Sequence, residues 1–326
     1  MMKKNIDLLL TRITDSIEKM DCEQMISSLE KIKDNCICIG TGGSYIASAY
    51  AKEVIGNKNN VIAVNLEPRD ILYSNIGCFK NLCAFSYGGN NHGINKALEI
   101  AGENRINRLV FTTNNKNFND LGIETVVNYK GNLEREVSFI SIASTLTPMS
   151  LLLKYYLNDD NVNLQKIISD LYHESNNEID NVNSLDVLDN KQDIDIMTGD
   201  NTYVAAAMLE STLVEAGLGR PLLHEKYSYC HGRTTLAYHS ETPLLVYLIN
   251  GEEKEIDRLL LENIQGLYER VLLVKTNKDN KIVGEFELTL KMIFLAKKIA
   301  EKLDKDLSIV NYAPQVKRLY NHRGGM

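Results

Sequence analysis

Short apolar runs and longer stretches of helical period alternate along almost the whole chain. The segments CICIG (36–40), VIAVN (61–65), LCAFS (82–86), RLVFTT (108–113) and ETVVN (124–128) read as strands. Between them, SYIASAYAKEVI and INKALEIAGEN carry apolar positions at helical spacing. The strand runs lack clean polar alternation, which predicts strands covered on both faces and hence a parallel sheet. Strand and helix taken in turn predict a doubly wound α/β unit.

A second series follows one long helical stretch, SLLLKYYLNDDNVNLQKIISDLYHESNNEIDNV (150–182). Its strands are DIDIMTG (193–199), PLLVYLI (243–249), RVLLVKT (270–276) and DLSIV (306–310), and the acidic piece NSLDVLDNKQD reads as a linker. The two series echo each other. GTGGSYIASA from Gly40 aligns without gaps on TGDNTYVAAA from Thr198, setting Ser44 on Thr202, Tyr45 on Tyr203 and Ala47 on Ala205. Two copies of one α/β unit are the expected architecture. The expected organisation is a helical segment over 1–30, a first unit over 31–160, a helical connection over 161–192, a second unit over 193–312 and a tail over 313–326.

At 326 residues the chain is long enough for two such units. The net charge of -7 argues against nucleic acid or an anionic membrane as partner, while a local basic pocket for a small anion stays compatible with it. The start, MMKKNIDLLLTRITDSIEKM, places Leu8, Leu9, Leu10, Ile13 and Ile17 on one face of an amphipathic helix rather than in a signal peptide. No apolar stretch approaches the length of a bilayer span. Six cysteines form no C-x-x-C pair and several sit in strand-like runs, the pattern of reduced thiols in a cytoplasmic protein.

Glycines and hydroxyls fill the turn between the first strand and its helix, GTGGSY (40–45). A helix N-terminus there offers N–H groups to an anion, and Gly42 and Gly43 permit close approach; the same glycines also suit a plain tight turn. A second turn, SYGGNN (86–91), ends the next sheet strand with Ser86, Gly88, Gly89 and Asn91. Two such turns at neighbouring strand ends form the usual ligand crevice of an open α/β sheet, which favours a phosphate cradle. Ser141, Ser144 and Thr145 precede an apolar run and read first as helix caps. His224 and Glu225 near His231 match no zinc motif, and no metal site is expected.

These turns resemble those of the SIS (sugar isomerase) family, within it the isomerase domain of glucosamine-6-phosphate synthase and the fructosamine-6-phosphate deglycases. The family turn G-T-S-Y-x-A is matched by Gly43-Ser44-Tyr45-Ile46-Ala47, with Gly43 in place of the Thr. The phosphate loop S-x-S-G-E-T is matched at Ser86 and Gly89, while Gly88 and Asn91 replace two hydroxyl residues. R-E-x-x-V-A-S-T resembles Arg135-Glu136 through Ser141. In the synthase domain a Tyr starts a helix, a catalytic Glu follows twelve residues on, and a His-Gly sixteen after that. Tyr203, Glu215 and His231-Gly232 stand in that register without a gap. The family's C-terminal Lys falls on Leu319, so Lys317 or Arg318 would have to serve instead.

The resemblance implies two tandem doubly wound parallel-sheet subdomains, each a flavodoxin-like three-layer sandwich. It also implies a cofactor-independent enzyme that moves a proton between C1 and C2 of a phosphosugar. Glu215 and His231 are its proton-transfer groups. Gly43, Ser44, Ser86, Gly88, Gly89, Asn91 and Ser141 hold the phosphate and sugar. The expected activity is release of glucose 6-phosphate and an amine from fructosamine 6-phosphate, with amino-sugar isomerisation and a binding-only module as alternatives. No amidotransferase domain is expected ahead of the module. Relatives take the His from a neighbouring subunit, so a homodimer is expected, with a tetramer as the larger assembly.

Overall fold

The computed structural model describes residues 22–114, 121–129 apart from 124, 140–157, 163–182, 193–239 and 242–307, with isolated positions at 13, 118, 185, 186, 188 and 315. Two units emerge, one running to Gln165 and the other covering Lys166–Asn311.

In the first unit, α1 (Cys22–Glu30) leads into β1 (Cys36–Ile39), α2 (Gly43–Asn59), β2 (Ala63–Leu66) and α3 (Pro68–Tyr73). Then come β3 (Asn81–Phe85), α4 (His92–Glu103), β4 (Asn107–Thr112), β5 (Thr125–Asn128) and α5 (Ile140–Leu157). All strand pairs are parallel, in the order β2-β1-β3-β4-β5. Alternation along the strands sends Ile37, Ile39, Leu82, Ala84 and Val110 to one face, where they pack with Ile94, Ala97, Leu98 and Ala101 of α4. The other face carries Cys38, Cys83, Phe85 and Phe111, all buried, with the two rings stacked at 4.7 Å.

The second unit contains α6 (Leu164–Asp180), β6 (Asp193–Thr198), α7 (Tyr203–Ala216) and β7 (Arg220–Glu225). A single helical turn (Lys226–Ser228) and a widened turn (Tyr229–Arg233) lead to α8 (Thr234–His239), followed by β8 (Leu244–Asn250), α9 (Glu255–Ile264), β9 (Arg270–Thr276) and α10 (Lys281–Lys302). Its four strands are again all parallel, in the order β7-β6-β8-β9. Met197, Leu245, Tyr247 and Ile249 face a cluster with Tyr229, Ala237, Leu260 and Ile264. Their neighbours along the strands, Ile194, Ile196, Leu244, Val246 and Leu248, are buried on the opposite face, where α7 and α10 pack on each other.

Helix α10 is buried over most of its length, charges included. Lys291 Nζ lies 2.7 Å from Glu178 and 2.9 Å from Glu287, and Thr276 donates to Glu287 at 2.8 Å. Such pairing is what makes buried charge tolerable.

Each sheet is doubly wound, as the alternating pattern predicts. Three local expectations change. The long helix expected over 150–182 is two helices, the first beginning at Ile140, ten residues before the expected start. The segment RPLLHE, where the sequence breaks at Gly-Arg-Pro, is an edge strand. Pro221 cannot donate to a ladder, so the run reads as an interruption; an edge position tolerates it. Of DLSIV, Asp306 and Leu307 are not in a strand, and 308–310 lie outside the described residues.

Candidate functional site

Strand β1 delivers the chain into a turn that only glycine can make. A Cβ on Gly40 would run into the carbonyl oxygen of Ser44, because the first turn of α2 lies directly over the strand end. Gly42, at φ 57° and ψ -132°, occupies a conformation that L side chains avoid, and a Cβ there would meet nothing within 4 Å. Steric contact thus fixes Gly40, whereas dihedral freedom fixes Gly42 beside open space. Within the turn Ser44 N–H donates to the Thr41 carbonyl at 3.2 Å, and Tyr45 N–H to that of Gly42 at 2.9 Å.

Ser86 stands at the head of the second turn, its N–H bonded to the Phe111 carbonyl at 2.9 Å. Gly89 has φ 68° and closes the turn by donating to the Ser86 carbonyl at 3.3 Å. Asn91 caps α4: its Oδ1 accepts from Ile94 N–H at 3.0 Å, and its Nδ2 donates to Thr41 Oγ1 at 3.0 Å. The Asn91–Thr41 bond ties the two turns together at the carboxyl ends of β1 and β3. Those strands flank the point where strand order reverses, the place where open α/β sheets bind ligands. Ser44 and Ser86 are both buried, and neither hydroxyl has a hydrogen-bond partner among the described residues.

The sequence offered Ser144 and Thr145 as caps. Instead they are the fifth and sixth residues of α5, buried inside it. Thr145 Oγ1 donates to the Gly43 carbonyl at 2.8 Å, fastening α5 to the first residue of α2. This tie was missed because a hydroxyl before an apolar run signals a cap by default. Ser141 is the second residue of α5, and Lys317 and Arg318 lie outside the described residues.

In the second unit Glu215 is the penultimate residue of α7, half-buried, just before the left-handed cap at Gly217. Strand β7 then runs back along β6 in a register that pairs Arg220 with Asp193 and Glu225 with Thr198. His231 follows six residues after Glu225, exposed, in the widened turn that Gly232 breaks with φ 138°. Glu215 therefore lies at the amino edge of this sheet, whereas the His231 turn leaves the carboxyl edge, about 17 Å away along β7. They also lie on opposite faces, since α7 packs with α10 while Tyr229 and Ala237 belong to the other cluster. One chain does not bring this acid and this imidazole together.

The second unit's copy of the glycine turn is filled by the protein itself. Thr202 Oγ1 accepts from Gly199 N–H at 2.8 Å, and a Cβ on Gly199 would fall 2.7 Å from Lys226 Cδ. Glu285 Oε1 accepts from Val204 N–H at 2.9 Å, placing a carboxylate where an anion would otherwise meet α7. Lys226 Nζ lies 3.0 Å from Asp200 and 3.1 Å from Asp257, and Tyr247 donates to Asp257 at 2.6 Å. The crevice above, about 630 Å³, is lined by Asp200, Lys226 and Asp257 with Lys254, Lys278 and Lys281. The echo in sequence thus hides an asymmetry among the described residues: Lys226 and Glu285 occupy the second unit's turn, while the hydroxyls of Ser44 and Ser86 in the first have no partner.

Among the described residues no group of three or more His, Cys, Asp or Glu is placed to hold a metal ion, and no helix is long and apolar enough to cross a membrane.

No protein-family model matches the chain, and no curated protein does. Solved structures do match it. Glucosamine-6-phosphate deaminase from Thermotoga maritima aligns at 13% identity over 92% of this chain and 96% of its own, with a TM-score of 0.69. The C-terminal domain of glucosamine-fructose-6-phosphate aminotransferase from Francisella tularensis aligns at 15% identity over 94% and 97%, with a TM-score of 0.70. Tagatose-6-phosphate ketose/aldose isomerase from Escherichia coli aligns at 15% identity over 95% and 92%, with a TM-score of 0.66. The chain has the fold of these phosphosugar proteins, the one its likeness to the SIS family implies.

Proposed function

We propose that the chain is a phosphosugar-processing enzyme that binds the phosphate end of its substrate in the first unit and moves a proton between C1 and C2. One observation carries this reading: two glycine-and-hydroxyl turns, joined by Asn91 and Thr41, flank the strand-order reversal of the first sheet with Ser44 and Ser86 uncommitted. The self-filled copy in the second unit supports assigning the phosphate to the first. Proteins of the same fold are named for glucosamine 6-phosphate and tagatose 6-phosphate, which supports the substrate class.

Glu215 is the proton carrier in this reading, and His231 comes from a second copy, making the functional unit a homodimer. The topology that separates the two groups within one chain supports that division. With fructosamine 6-phosphate, His231 assists ring opening. Glu215 then takes the C1 proton and returns it at C2, leaving an imine at C1. Water hydrolyses the imine to glucose 6-phosphate and the free amine. The steps need no cofactor, and a cytoplasmic setting suits both the substrate and the unpaired thiols.

The test is release of glucose 6-phosphate from 6-phosphorylated fructose–amine adducts, read through a coupled dehydrogenase, with amino-sugar isomerisation assayed alongside. Turnover by the wild type and none by Glu215→Gln, with folding intact, is the expected result. Undiminished turnover by that variant defeats the mechanism. A binding-only module is the second reading, favoured by Asn91 being spent on joining the turns; thermal stabilisation by sugar phosphates without any product marks it.

A further inference from the structure

Beneath the His231 turn lies a buried polar chain that the proton-transfer chemistry does not itself require. Tyr229, the first residue of that turn, is 0% exposed, and its hydroxyl lies 2.8 Å from that of Tyr268. Tyr268 in turn donates to Asp195 Oδ2 at 2.7 Å. The other oxygen of Asp195 lies 3.1 Å from His224 Nε2, a close electrostatic contact rather than an aligned hydrogen bond. The His224 ring meets the Tyr229 ring edge-on at 5.2 Å, which closes the circuit. All four residues are at most 6% exposed.

Two facts suggest that this circuit does more than fill space. A carboxylate is expensive to bury, and an apolar residue at Asp195 would serve packing as well or better. The turn it underlies also cannot hold His231 by helical regularity, because Gly232 breaks the backbone at φ 138°. A fixed imidazole there needs an anchor outside the backbone. Tyr229, two residues away, is the anchored side chain.

We propose that Asp195, Tyr268 and Tyr229, with His224 closing the circuit, are positioning residues that set the placement of His231. This rests on His231 being a catalytic group. Burial, with the Tyr229 and Asp195 bonds, pushes the Tyr268 hydroxyl far above the usual tyrosine range, so it keeps its proton and remains a donor at any working pH.

The test pairs Tyr268→Phe, which removes both bonds of the chain, with Tyr229→Phe, which leaves the Tyr268–Asp195 bond in place. Each is expected to lower kcat about tenfold with KM unchanged, as a slightly misplaced catalytic group does. Backbone amide exchange should quicken over 226–239 and stay unchanged in the rest of the sheet. In a His231→Asn background neither change should lower the residual turnover further. Unchanged exchange over 226–239, or the same tenfold loss without the imidazole, overturns the proposal. Should the wild type turn over no phosphosugar, the functional reading fails by itself, and the exchange measurement alone decides whether the circuit holds the turn.

Discussion

Glu215 and His231 of one chain occupy opposite edges and opposite faces of the second sheet. The arrangement follows from connectivity. A helix after a parallel strand runs back to the sheet's amino edge, so the last turn of α7 ends there, and β7 must travel the sheet again before the His231 turn begins. A site using both groups has to draw them from two copies. Mixing Glu215→Gln chains with His231→Asn chains should then restore activity that neither has alone. With random exchange, half the dimers are mixed and half of their sites are intact, so recovery reaches about a quarter of wild type. No recovery after subunit exchange would mean that the pair does not act across an interface.

Thr145 couples α5 to the start of α2 through one buried bond to the Gly43 carbonyl. Thr145→Val keeps the shape and removes the donor, leaving the Gly43 carbonyl only the bond it accepts within the first turn of α2. The expected cost is about 1 kcal/mol in denaturant unfolding, the net worth of one neutral hydrogen bond. Gly43 lies in the first glycine turn, so if that turn holds the phosphate, KM for a phosphosugar should rise more than kcat falls. A stability loss with KM unmoved would separate α5 from the binding turn.

The Lys226 cluster gives a sign to the acid limb of stability. Burial raises the Asp257 pKa, but the Tyr247 hydroxyl, the Lys254 amide and Lys226 outweigh it and hold the carboxyl below its usual value. Bonds from Lys254 and Lys226 lower Asp200 likewise, against its burial. Groups depressed on folding stabilise above their unfolded pKa and lose that contribution as pH falls through the folded one. Unfolding stability should therefore be level through neutral pH and drop below about pH 4. Lys226→Met should lower the plateau by about 3 kcal/mol, as a broken buried pair does. Thermal melts from pH 7 to pH 2.5 check both; a plateau unchanged by Lys226→Met would remove the cluster from the stability account.

Both sheets were legible in the sequence because unbroken apolar strands and amphipathic helices carry different periods. What escaped were features set by tertiary contact. Strand β7 hides behind Pro221. Thr145 looks like a cap until α2 is seen beside it. The likeness of GTGGSY to TGDNTY gives no hint that Lys226 and Glu285, distant in sequence, fill only the second turn. Of the expected site, motif and spacing singled out Ser86, Glu215 and His231 as candidates. Spacing could not reveal that the last two lie on opposite faces of one sheet.

That asymmetry between the units yields a paired prediction. Ser86 is a buried residue whose hydroxyl has no partner among the described residues, so Ser86→Ala should leave stability within about 0.5 kcal/mol of wild type. If the hydroxyl meets a phosphate, KM should rise about tenfold, the worth of one bond to a charged group. Thr202, which the repeat aligns with Ser44, stands at the start of α7, and its Oγ1 already accepts from Gly199 N–H and pairs with Thr198. Thr202→Val should behave oppositely, costing about 1–2 kcal/mol of stability with KM unchanged. Unfolding curves and initial rates on the two variants make the comparison. Were Thr202→Val to raise KM and Ser86→Ala to leave it alone, the phosphate would belong to the second unit and the crevice beside Lys226.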